Sequence, residues 1–261
     1  MTGDVQAEVT LRRAGPVATV ELANPGRRNA LTGSMLAELS RALPELDDDP
    51  EVRVVVVTGR GGDFCSGADL SAVGDDRHPL GAMNRINRAA LALHRMSTPT
   101  VARVDGVAVG AGLNLALACD LVVSSDRARY SEVFVRRGLA VDFGGSWILP
   151  RLVGMHRAKE LCLLGEIVPA DRAAEMGLVK RVVPAEKLDE TVDGLAARLA
   201  GGPAVAMALT KRLLADGGQR SIEEALDAEA AAQAIALRGD DAREAFTAFR
   251  DKRDAEFTET L

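Results

Sequence analysis

The stretch VDGVAVGAGLNLALACD, residues 104–120, joins a short apolar run to an Ala/Leu segment through a glycine-rich turn. The apolar run indicates a strand, and the segment after the turn indicates a helix. A turn of this kind presents backbone N–H groups to a negatively charged group at a helix N-terminus. Asn114, the polar side chain early in the predicted helix, carries no charge. What the turn binds is therefore the central question for function.

Strand and helix patterns alternate along the chain on both sides of this stretch. The β-branched run VRVVVVTG (52–59) predicts a buried parallel strand. Further strands are predicted at VATVEL (17–22), LVVSS (121–125) and VKRVV (179–183). From residue 185 onward the pattern is helical. This order predicts an α/β core with parallel strands, followed by a helical tail.

Composition and charge narrow the class of protein. The chain has 261 residues, of which 47% are hydrophobic and 3% aromatic, and this fits one α/β domain with an appendage. The net charge of −6 argues against a general nucleic-acid binder, which needs a basic surface. The sequence contains no apolar run long enough to cross a bilayer. We therefore expect neither a nucleic-acid nor a membrane partner.

The three cysteines are Cys65, Cys119 and Cys162, and no two of them form a C-x-x-C pair. Their spacing suggests neither a zinc site nor a disulfide framework, so we expect no metal. Reduced thiols are typical of the cytoplasm. The N-terminus MTGDVQAEVT lacks the basic and apolar regions of a signal peptide. The expected location is therefore cytoplasmic.

Two familiar kinds of active site do not fit the motifs. Gly110 and Gly112 form a G-x-G, but Leu115 stands where a dinucleotide-binding turn has its third glycine. Neither Ser66 nor Ser146 lies in the G-x-S-x-G turn of a serine hydrolase. No triad order appears among the histidines, which are His78, His94 and His156.

Two glycine-containing turns, FCSGADL (64–70) and GVAVGAGLNL (106–115), each follow a predicted strand. Each turn presents backbone N–H groups at the carboxyl end of its strand. Two N–H groups that converge on one point form an oxyanion hole, and small residues let a ligand carbonyl approach the backbone closely. The alternative is a pair of tight turns whose small residues serve packing only.

Together with other motifs, these turns resemble the crotonase (enoyl-CoA hydratase/isomerase) superfamily. The matching pieces are NPGRRNALT (24–32), VRVVVVTGRGGDFCSGADL (52–70), PTVARVDGVAVGAGLNLALACDLVVSSDRARY (99–130), GGSWILPRLVG (144–154), ADRAAEMGLVKRVVP (170–184) and FRDKRDAEF (249–257). The resemblance covers nearly all of the chain. As a set, the motifs are specific to the superfamily and not to one reaction within it.

The resemblance implies an α/β fold, a spiral of β-β-α units with a C-terminal helical oligomerisation region. Residues 1–200 are then the core with the acyl-CoA site, and residues 201–261 are the helical region. In the superfamily that region builds homotrimers, which often pair into hexamers. The implied substrate is an acyl thioester of coenzyme A. Because coenzyme A is part of this substrate, no separate cofactor is expected.

By position, the resemblance places the two N–H donors of the oxyanion hole on Ala68 and Ala111. Relatives more often carry Gly at the second place, and Ala keeps the N–H. The residues implied to contact the nucleotide and pantetheine parts are Arg28, Ser66, Asp69 and Leu70. Arg28 is expected to pair with a coenzyme A phosphate, and Lys252 to do the same at a neighbouring subunit's site. For Arg28 and Lys252 the alternative is a solvated surface charge.

A typical hydratase of the superfamily uses two glutamates, at the positions where this chain has Asn114 and Phe134. Asn114 can orient a water but cannot take a proton, and Phe134 adds apolar wall. Some isomerases resemble this chain at RRGLAVDFGGSW (136–147) and carry an aspartate at the place of Asp142. The alternative role of Asp142 is a helix N-cap. Glu132 is a further candidate acid, with a surface carboxylate as its alternative.

Three functions remain open from the sequence. The first is an acyl-CoA isomerase in which Asp142 shuttles a proton between two carbons, without water or a second acid. An apolar surrounding, with Phe134 and Phe143 nearby, is expected to raise the pKa of Asp142 and strengthen it as a base. The second is an enoyl-CoA hydratase with non-standard residues in place of the two glutamates. The third is a non-catalytic acyl-CoA-binding protein.

Overall fold

The computed structural model describes residues 7–69 and 78–261, which form nine strands and ten α-helices. The strands are β1 (Glu8–Ala14), β2 (Val17–Ala23), β3 (Val54–Gly59), β4 (Thr100–Val104), β5 (Val107–Val109), β6 (Leu121–Ser125), β7 (Arg129–Ser131), β8 (Val168–Pro169) and β9 (Arg181–Val183). The helices are α1 (Gly33–Asp47), α2 (Pro79–His94), α3 (Ala111–Ala118), α4 (Gly145–Val153), α5 (Met155–Leu164), α6 (Ala170–Met176), α7 (Leu188–Ala200), α8 (Ala204–Gly217), α9 (Ile222–Ala236) and α10 (Asp240–Asp251).

The larger sheet has six strands in the order β1-β2-β3-β4-β6-β9. β1 pairs antiparallel with β2, and the remaining neighbours are parallel. In register, Val57 of β3 lies opposite Val20 on one side and Ala102 on the other. The first five residues of β3 are buried, as expected for a parallel strand covered on both faces. The predicted parallel core is therefore confirmed.

The alternation of side chains along β3 divides the core into two layers. Val54 and Val56 face a smaller cluster with Leu188 and Val192 of α7. Val55 and Val57 face the larger cluster, because successive side chains of a strand point to opposite faces. That larger cluster contains most of the buried residues of α1, α2 and α3. The sheet is thus covered by helices on both faces.

A second sheet has three short strands in the order β5-β7-β8. β5 follows β4 after two residues and leads directly to α3. An isolated bridge joins Cys65 to Ala108 of β5, so the segment after β3 continues beside this small sheet. Strands of two or three residues give no periodicity that a sequence pattern can reveal, and the small sheet was not predicted.

Helices α8, α9 and α10 lie outside both hydrophobic clusters, whose members come from residues 7–200. α9 has no buried residue. Helices α7 to α10 lie in the part of the chain, from residue 185 onward, for which the sequence predicts helix. The division into a core of residues 1–200 and a helical region of residues 201–261 stays a prediction.

Within the described ranges, no single helix is long and apolar enough to span a membrane. Residues 185–200 and α8 reach that length and composition only as a pair, and the pair is bent by 105°.

Candidate active site

The loop after β3 and the turn before α3 lie in direct contact. The N–H of Cys65 donates to the carbonyl oxygen of Val107, and the N–H of Val109 donates to that of Cys65, at 2.8 and 3.0 Å. A Cβ atom on Gly112 would lie 2.3 Å from the Cys65 carbonyl oxygen. Only glycine fits there, so the small residues of both turns allow the two backbones to approach each other.

The two predicted oxyanion-hole donors are brought together by this contact. A Cβ atom on Gly67, next to Ala68, would lie 3.7 Å from the Ala111 nitrogen. The N–H of Leu31 donates to Gly67, and that of Asp69 donates to Leu31. In the part of the chain that the structure describes, the Ala68 N–H between them has no protein acceptor. Ala111 is the first residue of α3, so its N–H has no acceptor within the helix.

Three of the predicted coenzyme A contacts also lie side by side. The Ser66 N–H donates to the Arg28 carbonyl oxygen at 3.0 Å, and the Ser66 hydroxyl donates to the Arg27 carbonyl oxygen at 2.8 Å. Arg27 forms an ion pair with Asp69 at 3.3 Å. The Arg28 side chain is 68% exposed, with Nε 3.8 Å from the Asp63 carboxylate. Its guanidinium is therefore accessible to a phosphate.

Sequence reasoning missed Asn29, which shapes this loop. Asn29 is fully buried with φ 58°, a left-handed conformation that Asn tolerates better than most residues. Its amide donates to the carbonyl oxygens of Arg60 and Asp63, both at 2.8 Å, and its Oδ1 accepts from the Asn24 N–H at 3.0 Å. The sequence signal for this role is the asparagine itself, because it lies in the stretch NPGRRNALT (24–32), which is rich in turn-forming residues.

The other two predicted contact residues are not placed in the site. Leu70 lies outside the described residues. Lys252 is exposed at the end of α10 with φ 55°, and it forms no ion pair or side-chain hydrogen bond within the described part of one chain. Its predicted role at a neighbouring subunit stays a prediction.

Asn114 lies fully buried in the first turn of α3, and its amide links two carboxyl-bearing segments. Nδ2 donates to the main-chain oxygen of Asp142 at 3.0 Å and to Oε2 of Glu132 at 3.4 Å. Oδ1 is buried and has no partner. A Cβ atom on Gly145 would lie 2.5 Å from Nδ2. Glycine at the start of α4 therefore lets the Asp142 loop close over Asn114.

Asp142 is not the N-cap of α4, which corrects the alternative role considered for it. The helix begins at Gly145, its N-cap is Gly144, and no side chain caps it. Phe143 is buried with φ 51°, a strained conformation for a bulky residue. Backbone strain of this kind persists only where the surrounding packing holds it, and it clusters at functional sites.

The environment of Asp142 favours its protonated form. Burial raises the pKa of its carboxyl to about 6, because the charged form loses hydration. Oδ1 is buried without a hydrogen-bond partner. The carboxyl is thus a base of useful strength near neutral pH.

Glu132 is buried, and the alternative of a surface carboxylate is wrong. Its relative exposure is 0%. Burial is the largest cause that raises its pKa, to about 8, and the nearby Asp142 raises it further. No local sequence pattern reveals this burial, which depends on the packing of segments distant in the chain. The site therefore has a fully buried carboxyl, Glu132, beside the half-buried carboxyl of Asp142.

Apolar side chains complete the surroundings. Phe134 is 8% exposed, and its ring lies next to Gly110, at 3.5 Å from a Cβ atom placed there.

Two of the histidines have structural contacts: His78 Nδ1 accepts from the Leu80 N–H at the start of α2, and His94 packs edge-on against Trp147. Over residues 7–69 and 78–261, no three His, Cys, Asp or Glu side chains are grouped to hold a metal ion.

The geometry can be compared with known proteins. The sequence profile of the enoyl-CoA hydratase/isomerase family matches residues 12–260. The chain belongs to this family. It is 35% identical over 250 residues to the 1,2-epoxyphenylacetyl-CoA isomerase of Escherichia coli (strain K12), covering 93% of this chain and 95% of that protein.

Another enoyl-CoA hydratase/isomerase relative is the short-chain-enoyl-CoA hydratase of Clostridium acetobutylicum. It is 34% identical over 251 residues, covering 95% of this chain and 96% of that protein. The solved structure of an enoyl-CoA hydratase from Polaromonas sp. JS666 superposes with a TM-score of 0.91 at 30% identity, covering 96% of this chain and 100% of that chain. The predicted superfamily and its crotonase fold are confirmed. Because relatives are named both hydratase and isomerase, membership does not select the reaction.

The carboxyls of Glu132 and Asp142 make the stability of this family member depend on pH. Both folded pKa values, about 6 and about 8, exceed the ordinary values near 4. Between about pH 4 and 8 the folded chain therefore holds more protons than the unfolded chain, and the free energy of unfolding falls as pH rises. We expect a loss on the order of 5 kcal/mol between pH 5 and 8, most of it from Glu132, at about 1.4 kcal/mol per unit of pKa shift.

Urea unfolding of the wild type and of Glu132→Gln at several pH values measures this loss. The variant lacks the group with the larger shift, so its free energy of unfolding is expected to vary less with pH. Glu166→Gln, which removes an exposed carboxyl, is the control and is expected to follow the wild type. Equal slopes for the wild type and Glu132→Gln would show that Glu132 is ionised in the folded chain.

Proposed function

We propose that this protein is an acyl-CoA isomerase that moves a carbon–carbon double bond, with Asp142 as its acid/base. The observation that carries the proposal is the Asp142 carboxyl. It is half-buried, has a raised pKa of about 6, and is tied by its main chain to Asn114, in the helix that begins with Ala111. Asn114 and Phe134 occupy the positions of the two glutamates of a typical hydratase.

The first step is enolate formation. The N–H groups of Ala68 and Ala111 donate to the thioester oxygen and stabilise the negative charge that develops on it. The N-terminal end of α3 adds its partial positive charge at the same place. Because carbon acids of this type are weak, the hole supplies much of the barrier reduction.

One carboxyl carries out both proton transfers, the one that forms this enolate and the one that consumes it. Ionised Asp142 takes a proton from a carbon beside the double bond, and the electron pair moves into the conjugated enolate. Protonated Asp142 then returns a proton to the carbon two positions away. The double bond shifts, the carboxylate is regenerated, and no water is consumed. A pKa near 6 leaves the base ionised at neutral pH.

Binding of the coenzyme A part follows from the exposed loop. Arg28 offers an accessible guanidinium for a phosphate. Ser66 and Asp69 lie on either side of Ala68 in one loop, and the Ser66 N–H donates to the Arg28 carbonyl oxygen. We assign Leu70 to the pantetheine part and Lys252 to a neighbouring subunit's phosphate contact, from the family pattern.

Hydration of a 2-enoyl-CoA is the second candidate, since Glu132 adds a second carboxyl next to Asn114. The hydratase name of the Clostridium acetobutylicum relative supports it as well. Against it, Glu132 is 0% exposed and has no open path to an attacking water. Isomerisation needs one accessible carboxyl and is therefore preferred.

Product analysis separates these functions. The protein is incubated with a 3-enoyl-CoA and, separately, with a 2-enoyl-CoA, and products are followed by mass and by absorbance of the conjugated thioester. We expect conversion between the two isomers with no change of mass. Gain of one water would assign hydration instead, and tight binding without turnover would assign a binding protein.

We also propose that the protein assembles as a homotrimer, or a hexamer of two trimers, in the cytoplasm. Exposed apolar side chains on the C-terminal helices support assembly, since a surface of this kind is typical of an interface. They include Leu214 (77% exposed), Ile222 (68%), Phe246 (59%) and Phe249 (84%). The free thiols of Cys65, Cys119 and Cys162 support a reducing compartment.

Sedimentation measures the assembly. We expect the wild type to have the mass of three or six chains, and Phe246→Ser with Phe249→Ser to shift it towards smaller species. Leu11→Ser, at a 41% exposed position on β1, is the control and is expected to leave the mass unchanged. A monomeric wild type would contradict the proposal.

A further inference from the structure

Glu132 is the one carboxyl of the Glu132–Asn114–Asp142 group that the proposed isomerisation does not use. Its side chain is 0% exposed, so it does not touch substrate. Oε2 accepts from Asn114 Nδ2 at 3.4 Å, and Oε1 is buried without a partner. A buried carboxyl that has a single long hydrogen bond needs a reason to be there, because its burial is costly.

The hydrogen bond from Asn114 indicates what Glu132 does: it fixes the orientation of the Asn114 amide. An amide can be turned end for end, exchanging its oxygen and nitrogen. Here the main-chain oxygen of Asp142 and Oε2 of Glu132 both accept from Nδ2, so only one orientation satisfies both acceptors. Glu132 thereby holds Asn114 in the orientation that ties down the Asp142 segment.

The charged and titratable groups around Glu132 determine whether its carboxyl is neutral or ionised in the folded protein. Asp142 contributes a second carboxyl from the loop before α4, and Cys162 contributes a thiol from α5. Arg136, four residues after Glu132, is exposed, and its Nε donates to the Leu164 carbonyl oxygen. In the described part of the chain, no Lys or Arg forms an ion pair with Glu132. An ionised Glu132 would therefore face ionised Asp142 without a counter-charge.

We propose that Glu132 is a positioning residue: its carboxyl orients Asn114, and through it Asp142, and its ionisation turns the reaction off because the second negative charge displaces the Asp142 carboxylate. This inference rests on the proposed function, because it takes Asp142 as the base. The order of the two pKa values, about 6 for Asp142 and about 8 for Glu132, agrees with the geometry. Between them lies the range in which Asp142 is charged and Glu132 is neutral.

The test is the pH profile of kcat/KM for double-bond isomerisation, which reports the ionisations of the free enzyme. The wild type is expected to lose activity above about pH 8. At pH 9, about 10% of Glu132 remains neutral, and kcat/KM is expected to be about tenfold below its plateau. Glu132→Gln mimics the neutral form, so it is expected to keep the acid limb and to lose the alkaline limb.

Two further variants make the outcome unambiguous. Glu132→Met removes the acceptor for Asn114 as well, so a lower plateau is expected at every pH, again without an alkaline limb. An alkaline limb that persists in Glu132→Gln, or is missing in the wild type, would overturn the inference. Turnover retained by Asp142→Asn would instead overturn the proposed function, whatever the profile of Glu132→Gln.

Discussion

Asp142→Asn is expected to lower kcat for the double-bond shift by about 10²- to 10⁴-fold, the usual contribution of a general acid/base. The amide has nearly the same shape as the carboxyl but cannot take the proton. The hydrogen bond between the Asp142 main chain and Asn114 does not involve the substituted atoms. The loop and the acyl-CoA site are therefore expected to stay intact.

Binding of a saturated acyl-CoA, measured by calorimetry, separates chemistry from folding. Its Kd is expected to be the same for Asp142→Asn and the wild type. Asp193→Asn, an exposed carboxyl on α7, is the matched control and is expected to be fully active. Turnover of Asp142→Asn at the rate of this control would show that another group moves the proton.

Ala111→Pro is expected to lower kcat/KM by roughly a hundredfold or more, the usual effect of losing one oxyanion-hole donor. Proline removes the Ala111 N–H and places ring carbons where that N–H pointed. Ala111 is the first residue of α3, and proline is well tolerated at that position of a helix. The fold is therefore expected to survive this substitution better than it would within the helix.

Ala111→Gly is the matched control for this donor. It keeps the N–H and removes only one methyl group, so its kcat/KM is expected to remain within a few-fold of the wild type. Circular dichroism and thermal unfolding check that both variants fold. A folded Ala111→Pro with nearly wild-type activity would show that the Ala111 N–H does not bind the reacting oxygen.

The sequence predicts those elements that have a strong local pattern. The valine run at 52–59 could be identified because a parallel strand is buried on both faces. β1 was missed, since five of its seven residues are exposed and three of them are charged, as in an edge strand. β7 and β8 of the small sheet were missed because they have only three and two residues.

The residues of the candidate site are likewise of two kinds, those that the sequence predicts and those that depend on packing. Ala68, Ala111 and Asp142 were assigned from the family resemblance, because the motifs around them match the family's motifs position by position. The burial of Glu132 and its contact with Asn114 depend on how α3, α5 and the Asp142 loop pack together. Such contacts link residues 18 positions apart and have no local signature. The strained φ of Phe143 likewise comes from packing.

The most direct test of the central claim is a crystal structure with a bound saturated acyl-CoA, which cannot turn over. The expected result is a thioester oxygen within hydrogen-bond distance of both the Ala68 and the Ala111 nitrogen. The Asp142 carboxylate is expected to lie against acyl carbons two to four. A thioester bound away from these amides, or an Asp142 carboxylate out of reach of those carbons, would contradict the account.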